Sequence, residues 1–173
     1  MKRTYKDNIL FHHAVRIGKR KKPFVVTKIR TMKRRVLSDQ EKVFGEEAIF
    51  ISKLTIEDPR ITKLGKFLRK LQVDEVPQII NLLKGELLPV GIRPLSRIGY
   101  RRLPKDIKEM YNEMGPGLLG IFYACNPFPP SKEQTFNEYR NFYVLWKENK
   151  KKAYSIYAKK ILANRIKGKA WSR

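Results

Sequence analysis

Between residues 62 and 83 the apolar positions recur at helical spacing twice in succession. Leu64, Phe67, Leu68 and Leu71 stand at i, i+3, i+4 and i+7, one face of a helix, with Lys63, Lys66, Arg69 and Lys70 on the others. Thr62 is placed to cap it. Val76, Ile79, Ile80 and Leu83 make a second face, and Lys84-Gly85 is a stop signal. Pro77 forbids one unbroken helix but suits a first turn, so the second helix is predicted to start near Asp74. Upstream, KPFVVTKIR (22–30) has the β-branched and aromatic content of a strand. Residues 31–48 are mixed and read as loop with a short helix.

Downstream, LLPVGIRPL (87–95) is an apolar run, with a strand expected at 87–92, ending in a Gly/Pro-punctuated loop that holds Arg93. Residues 104–114 suggest a short helix, 115–120 a loop, and 131–168 largely helix with a break near Asn149. Tyr154, Tyr157, Ala158, Ile161 and Leu162 share a face in that last stretch. The fold class that follows is α+β and mainly helical. It is a compact single domain with a few short strands and basic amphipathic helices, the core spanning 1–130 and a helical segment of the same domain spanning 131–173.

Composition changes this picture through charge. The formal net charge is +23 over 173 residues, and 42% of residues are hydrophobic, enough for a core. Thirteen Lys and Arg lie in residues 1–37 against Asp7 alone, and nine more follow Glu148 against no acid. Such an excess points to an anionic partner: a phosphate-rich substrate, an acidic membrane face or nucleic acid. The single cysteine, Cys125, excludes an internal disulfide and a multi-cysteine zinc site. No run approaches the ~20 apolar residues that cross a bilayer, and the first twenty residues hold no signal-peptide core.

Four features carry candidate chemistry. Asp74 and Glu75 stand side by side at a predicted helix start, where unpaired N–H groups and the macrodipole favour carboxylates. Capping explains one of the two fully and is the usual role of such residues. The same field, with Arg69 near, would also hold Asp74 ionised as a nucleophile and leave Glu75 for a hard cation; pattern alone leaves both readings open. GPGLLG (115–120) spells a dinucleotide fingerprint but follows a charged helical stretch instead of a buried strand, so a glycine-rich turn is expected. His12 and His13, being adjacent, share no face of a regular element and read as surface residues. The lysine run 150–152, with Trp146, Tyr154 and Tyr157 nearby, suits a solvated face or a lipid headgroup layer before it suits nucleic acid.

Residues 58–94, DPRITKLGKFLRKLQVDEVPQIINLLKGELLPVGIRP, resemble the signature of the bacterial sugar transferases, the monotopic phosphoglycosyl transferases. The matches run in order: Asp58, Arg60 and Thr62; Gly65, Phe67, Leu68, Arg69 and Lys70; Asp74, Glu75, Pro77 and Gln78; Asn81, Leu83, Lys84, Gly85 and Glu86; then Val90, Gly91, Arg93 and Pro94. Weaker similarity at 16–32 and 116–120 extends the resemblance over roughly residues 11–123. It implies that Asp74 attacks the phosphate next to the sugar of a nucleotide diphosphate sugar, usually a UDP-sugar. An aspartyl-phosphosugar then passes its phosphosugar to a polyprenol phosphate, while Glu75 helps hold Mg²⁺. Arg69 and Arg93 are implied as phosphate ligands, with Lys28, Arg30, Asp58 and Arg60 as further substrate contacts.

The sequence also departs from that signature. Ile92 replaces a Pro, Leu119 a Thr and Tyr123 a Gln, and Arg140 stands where the family has an Asp before Tyr143-Val144, with Glu138 the nearest acid in place of it. Fifteen residues precede Arg16, and the hydrophobic membrane segment of the family is not among them. A truncated chain, peripheral binding and an anchor on a separate chain are the three readings, and the chain as given is expected to meet the cytoplasmic side of the cell membrane peripherally. The competing readings are a basic nucleic-acid-binding protein and an inactive scaffold of the same fold.

Overall fold

The computed structural model describes residues 10–33, 61–71 and 73–166, without the side chains of Lys70 and Leu71. Strand β1 (Phe11–Ile17) pairs antiparallel with β2 (Pro23–Ile29), in the register Phe11 to Ile29, Ala14 to Val26 and Ile17 to Pro23. The β2 strand lies where its β-branched run predicts it. Its partner β1 went unread because His12, His13 and Arg16 break up the apolar alternation. Strand alternation sends the two histidines to opposite faces: His12 is exposed, while His13 Nδ1 lies 3.0 Å from Thr27 Oγ1.

Helix α1 (Lys63–Leu71) is capped by Thr62, whose Oγ1 accepts from Gly65 N at 2.9 Å. The helix approaches the end of β2 very closely. A Cβ on Gly65 would lie 2.1 Å from the Thr31 carbonyl oxygen, so only glycine fits. A 3-10 helix (Val73–Gln78) follows and runs into α2 (Ile79–Leu83). The predicted second helix therefore exists, but Pro77 lies inside its tight first part.

The apolar faces of these elements look outward. Leu64, Phe67, Val76, Ile79, Ile80 and Leu83 are all exposed, Leu83 at 82%. The buried side is polar: Asp74, Gln78 and Asn81. The helical periods are right and the partner of the apolar stripe is not the core. Asn81 explains part of the inversion. Its Nδ2 donates to Val25 O at 2.8 Å and to Glu86 Oε2 at 2.7 Å, tying α2 to β2 through buried polar groups that must be paired.

Strand β3 (Leu88–Gly91) pairs parallel with β4 (Gly117–Gly120), Leu88 to Gly117 and Gly91 to Gly120. The β4 strand corrects the loop expected at 115–120: glycines there permit close backbone pairing instead of a turn. Between the strands lie α3 (Arg97–Arg101), capped by Ser96 and unforeseen, and α4 (Lys105–Met114), which matches the helix expected at 104–114.

A 3-10 helix (Ile121–Ala124) leads on to α5 (Lys132–Glu148) and α6 (Lys150–Ile166), broken at Asn149 as the pattern predicts. A capping box starts α5: Ser131 Oγ accepts from Gln134 N, and Gln134 Oε1 accepts from Ser131 N.

The main core joins β3 to α4, α5 and α6, while Phe24 and Val26 of β2 make a smaller cluster with Leu87. Val90, Ile92, Ile107, Tyr111, Met114, Ile121, Phe142, Tyr157 and Ile161 are essentially inaccessible, each large apolar side chain contributing about 1.5–3 kcal/mol. Phe142 and Tyr157 meet edge to face at 4.9 Å, locking α5 on α6. Tyr111 fastens the hairpin to this core, its hydroxyl donating to Ile17 O at 2.6 Å and accepting from Leu95 N at 3.2 Å. Among the described residues no helix is long and apolar enough to cross a membrane.

Candidate active site

Asp74 and Glu75 occupy the first turn of the 3-10 helix, against β2. Asp74 is 8% exposed. Glu75 Oε1 accepts from Lys28 Nζ at 2.5 Å and from Arg93 Nη2, so one oxygen gathers two cations from β2 and from the loop after β3. Arg93 Nη1 also donates to the Tyr123 hydroxyl. The Arg93 stem crosses β4 at Gly120, where a Cβ would meet its Cγ at 2.5 Å.

The two carboxyls are driven in opposite directions. Burial pushes Glu75 up, but Arg93 and Lys28 more than offset it and pull it to about 2. For Asp74 burial prevails: with the Glu75 charge beside it, its carboxyl is raised above the ordinary value, while Lys28, Arg69 and Arg93 resist. The charge of Arg69 favours the ionised carboxylate, as expected from the sequence, but it acts against the larger effect of burial. Two adjacent acids with separated affinities for protons are the arrangement by which sites divide roles between carboxylates.

The cations are themselves under strain. Burial and Arg93 lower Lys28, with Glu75 opposing. Burial and Arg93 likewise lower Arg16 on β1. Tyr123 and Glu75 raise Arg93. The positive charge gathered around Glu75 electrostatically favours a further anion there.

The sequence-derived candidates divide as follows. Lys28, Glu75 and Arg93 are in direct contact. Arg69 bonds Thr31 Oγ1 through its Nε at 2.8 Å and acts on Asp74 through its charge. Arg30 Nη2 donates to Phe11 O at 3.3 Å, a bond that faces the β1 backbone. Asp58 and Arg60 lie outside the described residues, as does most of the 31–48 stretch. Arg140 pairs with Asp106 at 2.8 Å, and Glu138 pairs with Lys160 at 3.0 Å, which places the nearest acid of the departed C-terminal motif in an α5–α6 contact.

Tyr123 and Arg165 also stand at this cluster, the Arg165 guanidinium carbon lying 5.2 Å from the Tyr123 ring centroid. Tyr123 was legible only as a departure from the family signature. Arg165 had a signal: Ala153, Tyr157 and Ile161 are buried at four-residue steps along α6, and Arg165 is the next step. Gln78 is a further buried group, 3% exposed, whose Nε2 has no hydrogen-bond partner among the described residues.

The donor set bears on Mg²⁺. Among the described residues no three or more His, Cys, Asp or Glu come together as a metal cluster. Mg²⁺ at phosphoryl-transfer sites needs one or two carboxylates, the rest of its shell being phosphate oxygen and water. Glu75, with both its described bonds on Oε1, fits that demand.

The family model for bacterial sugar transferases matches residues 1–151. The chain belongs to the bacterial sugar transferase family. It is similar to the sugar transferase EpsL of Bacillus subtilis, 37% identical over 111 residues, covering 64% of this chain and 48% of that one. It is 35% identical over 108 residues to the UDP-glucose:undecaprenyl-phosphate glucose-1-phosphate transferase of Escherichia coli, covering 61% and 21%. Against the undecaprenyl-phosphate galactose phosphotransferase of Salmonella typhimurium the identity is 42% over 65 residues, covering 38% and 13%. The chain spans about half, or less, of the length of the curated relatives it matches.

Proposed function

We propose that the chain transfers a phosphosugar from a nucleotide diphosphate sugar, a UDP-sugar in the first instance, to a polyprenol phosphate. The observation that carries this is the Asp74–Glu75 pair, set into a helix start and ringed by Lys28, Arg69 and Arg93. Two of the relatives above act, by their names, on undecaprenyl phosphate, and one of them on UDP-glucose.

In the first step an Asp74 oxygen attacks the phosphorus that bears the sugar. The bond from that phosphorus to the bridging oxygen breaks, and the nucleoside monophosphate leaves with the electron pair. In the second step an oxygen of polyprenol phosphate attacks the same phosphorus, and the Asp74 carboxylate departs unchanged. Such transfers depend on positioning and charge neutralisation. Arg93 and Lys28 supply both, an arginine fork suiting phosphate oxygens. Glu75 would hold Mg²⁺, which supplies further neutralisation of the diphosphate when bound.

The acceptor is a lipid, and the outward apolar faces of α1 and α2 suit it. Leu64, Phe67, Val76, Ile79, Ile80 and Leu83 expose apolar surface of a kind that marks interaction sites on soluble folds. With the basic charge of the chain, these faces fit peripheral attachment to an anionic membrane surface, on the cytoplasmic side. Nucleic acid ranks last, since phosphate backbone has no use for an apolar face.

The test is release of UMP from a panel of UDP-sugars, with Mg²⁺ and detergent-solubilised polyprenol phosphate. Turnover by the native chain that is absent in Asp74→Asn supports the proposal. A folded protein that turns over no sugar in the panel, yet binds vesicles, favours the inactive scaffold.

A further inference from the structure

Helix α6 ends beside the site. Asn164 Nδ2 donates to both Tyr123 O and Cys125 O at 3.1 Å, pinning the last turn of α6 to the 3-10 helix that carries Tyr123. The next residue, Arg165, places its guanidinium carbon 5.2 Å from the centroid of the Tyr123 ring. The Arg93 guanidinium carbon lies 5.4 Å from the same centroid, and Arg93 bonds the Tyr123 hydroxyl and Glu75. One aromatic ring thus gathers two arginines, one of which is already tied to the carboxylate pair.

The two arginines differ in what they hold. Arg93 has both of its terminal nitrogens, Nη1 and Nη2, engaged. The Arg165 Nε is buried and has no hydrogen-bond partner among the described residues. A buried N–H without an acceptor is costly, and a like charge beside the guanidinium adds to that cost. Burial and the Arg93 charge together lower Arg165, while Tyr123 and Glu75 favour its charge, so it senses the same field as the carboxylates. A phosphate at this place would supply the acceptor and separate the two cations.

We infer that Arg165, delivered by α6 from beyond the family-model match at residues 1–151, is a specificity-determining ligand for the diphosphate of the donor substrate. The donor carries two phosphate groups to be held where the acceptor carries one. Beside Lys28 and Arg93, which also hold Glu75, Arg165 has a buried N–H still without an acceptor among the described residues. The inference rests on the phosphosugar-transfer reading for its substrate class. It adds a residue that neither spacing nor the signature motif assigns.

The experiment uses the full chain, with Arg165→Met, which retains an aliphatic stem against Tyr123, Arg165→Lys, and Asn164→Ala as a control for the docking of α6. Titration with UDP in the presence of Mg²⁺ is measured for each, beside KM and kcat for UMP release and the melting temperature. Arg165→Met is expected to weaken UDP binding and raise the donor KM by about tenfold to a hundredfold, the scale of a charged hydrogen bond. Its KM for polyprenol phosphate and its melting temperature should stay near native, and Arg165→Lys should recover part of the loss.

Unchanged UDP affinity in Arg165→Met overturns the inference. So does a loss no larger than that of Asn164→Ala, which would make Arg165 a strut for α6. Failure of the transfer reading looks different: the native chain then binds UDP through Arg165 but releases no UMP. A native chain that does not bind UDP at all overturns the Arg165 assignment as well.

Discussion

Asp74 and Glu75 differ by one position and face opposite electrostatic fates, and that difference makes firm demands on experiment. Asp74 must be ionised to attack, and burial raises it, so the acid limb of the pH–rate profile should lie above the ordinary aspartate value. Lys28 gives the largest opposing effect on Asp74. Lys28→Met should therefore move that limb to higher pH, in a profile of kcat/KM on the donor. Glu75→Gln removes a like charge and should move it lower, whatever it does to the rate. Glu75 itself is depressed from 4.5 to about 2, so it stabilises the fold fully above pH 4.5 and loses that contribution as the pH falls through about 2. By linkage the contribution is on the order of 3 kcal/mol. Denaturant unfolding at pH 6 and pH 3 should show a larger fall for the native chain than for Glu75→Gln, with Asp74 working against it in both.

At the scale of elements, two glycines make contrasting predictions. Gly65→Ala drives a Cβ into the Thr31 carbonyl oxygen at 2.1 Å, backbone against backbone, and α1 must back away from β2. The cost should be about 2 kcal/mol or more by denaturant unfolding. Gly120→Ala meets the Arg93 stem at 2.5 Å and the Tyr123 ring at an ordinary 3.6 Å, and the stem can swing aside. That variant should lose donor affinity, because Arg93 leaves Glu75, and at pH 6 it should lose a share of the roughly 3 kcal/mol that Glu75 contributes, less of it at pH 3.

The elements were legible to different degrees, for physical reasons. Thr62 as a cap, Pro23–Ile29 as a strand and Asn149 as a helix break all rest on local chemistry, and local chemistry decides them. The β4 strand was hidden because glycines that allow close strand pairing are the same residues that signal turns. Helix α1 and the segment after it were readable as to period but not as to orientation. Periodicity finds an apolar stripe and cannot say what covers it. At the site, Asp74, Glu75 and Arg93 came from the signature motif, whereas the bonds from Lys28 and Tyr123 join positions far apart in sequence and emerge only in the fold.

Across the whole molecule, a charge of +23 and outward apolar faces belong to one account of how a folded domain reaches a lipid acceptor. Ile80 and Leu83 are 57% and 82% exposed, so Ile80→Asp with Leu83→Asp should leave stability within about 1 kcal/mol of native. The same pair should greatly reduce cosedimentation with vesicles of phosphatidylglycerol and phosphatidylethanolamine. Raising the salt should weaken the native interaction without abolishing it, since only the charge component is screened. Equal vesicle binding by the double variant would remove these faces from the membrane account.

The central claim is the covalent role of Asp74, and one measurement meets it head on. The native chain and Asp74→Asn are incubated with Mg²⁺ and a turnover-competent UDP-sugar in the absence of polyprenol phosphate, then quenched in acid, digested and sequenced by mass. The account predicts a phosphosugar on Asp74 in the native chain, discharged on addition of polyprenol phosphate and absent from Asp74→Asn. Steady turnover with no adduct under any quench, or turnover preserved in Asp74→Asn, would contradict it.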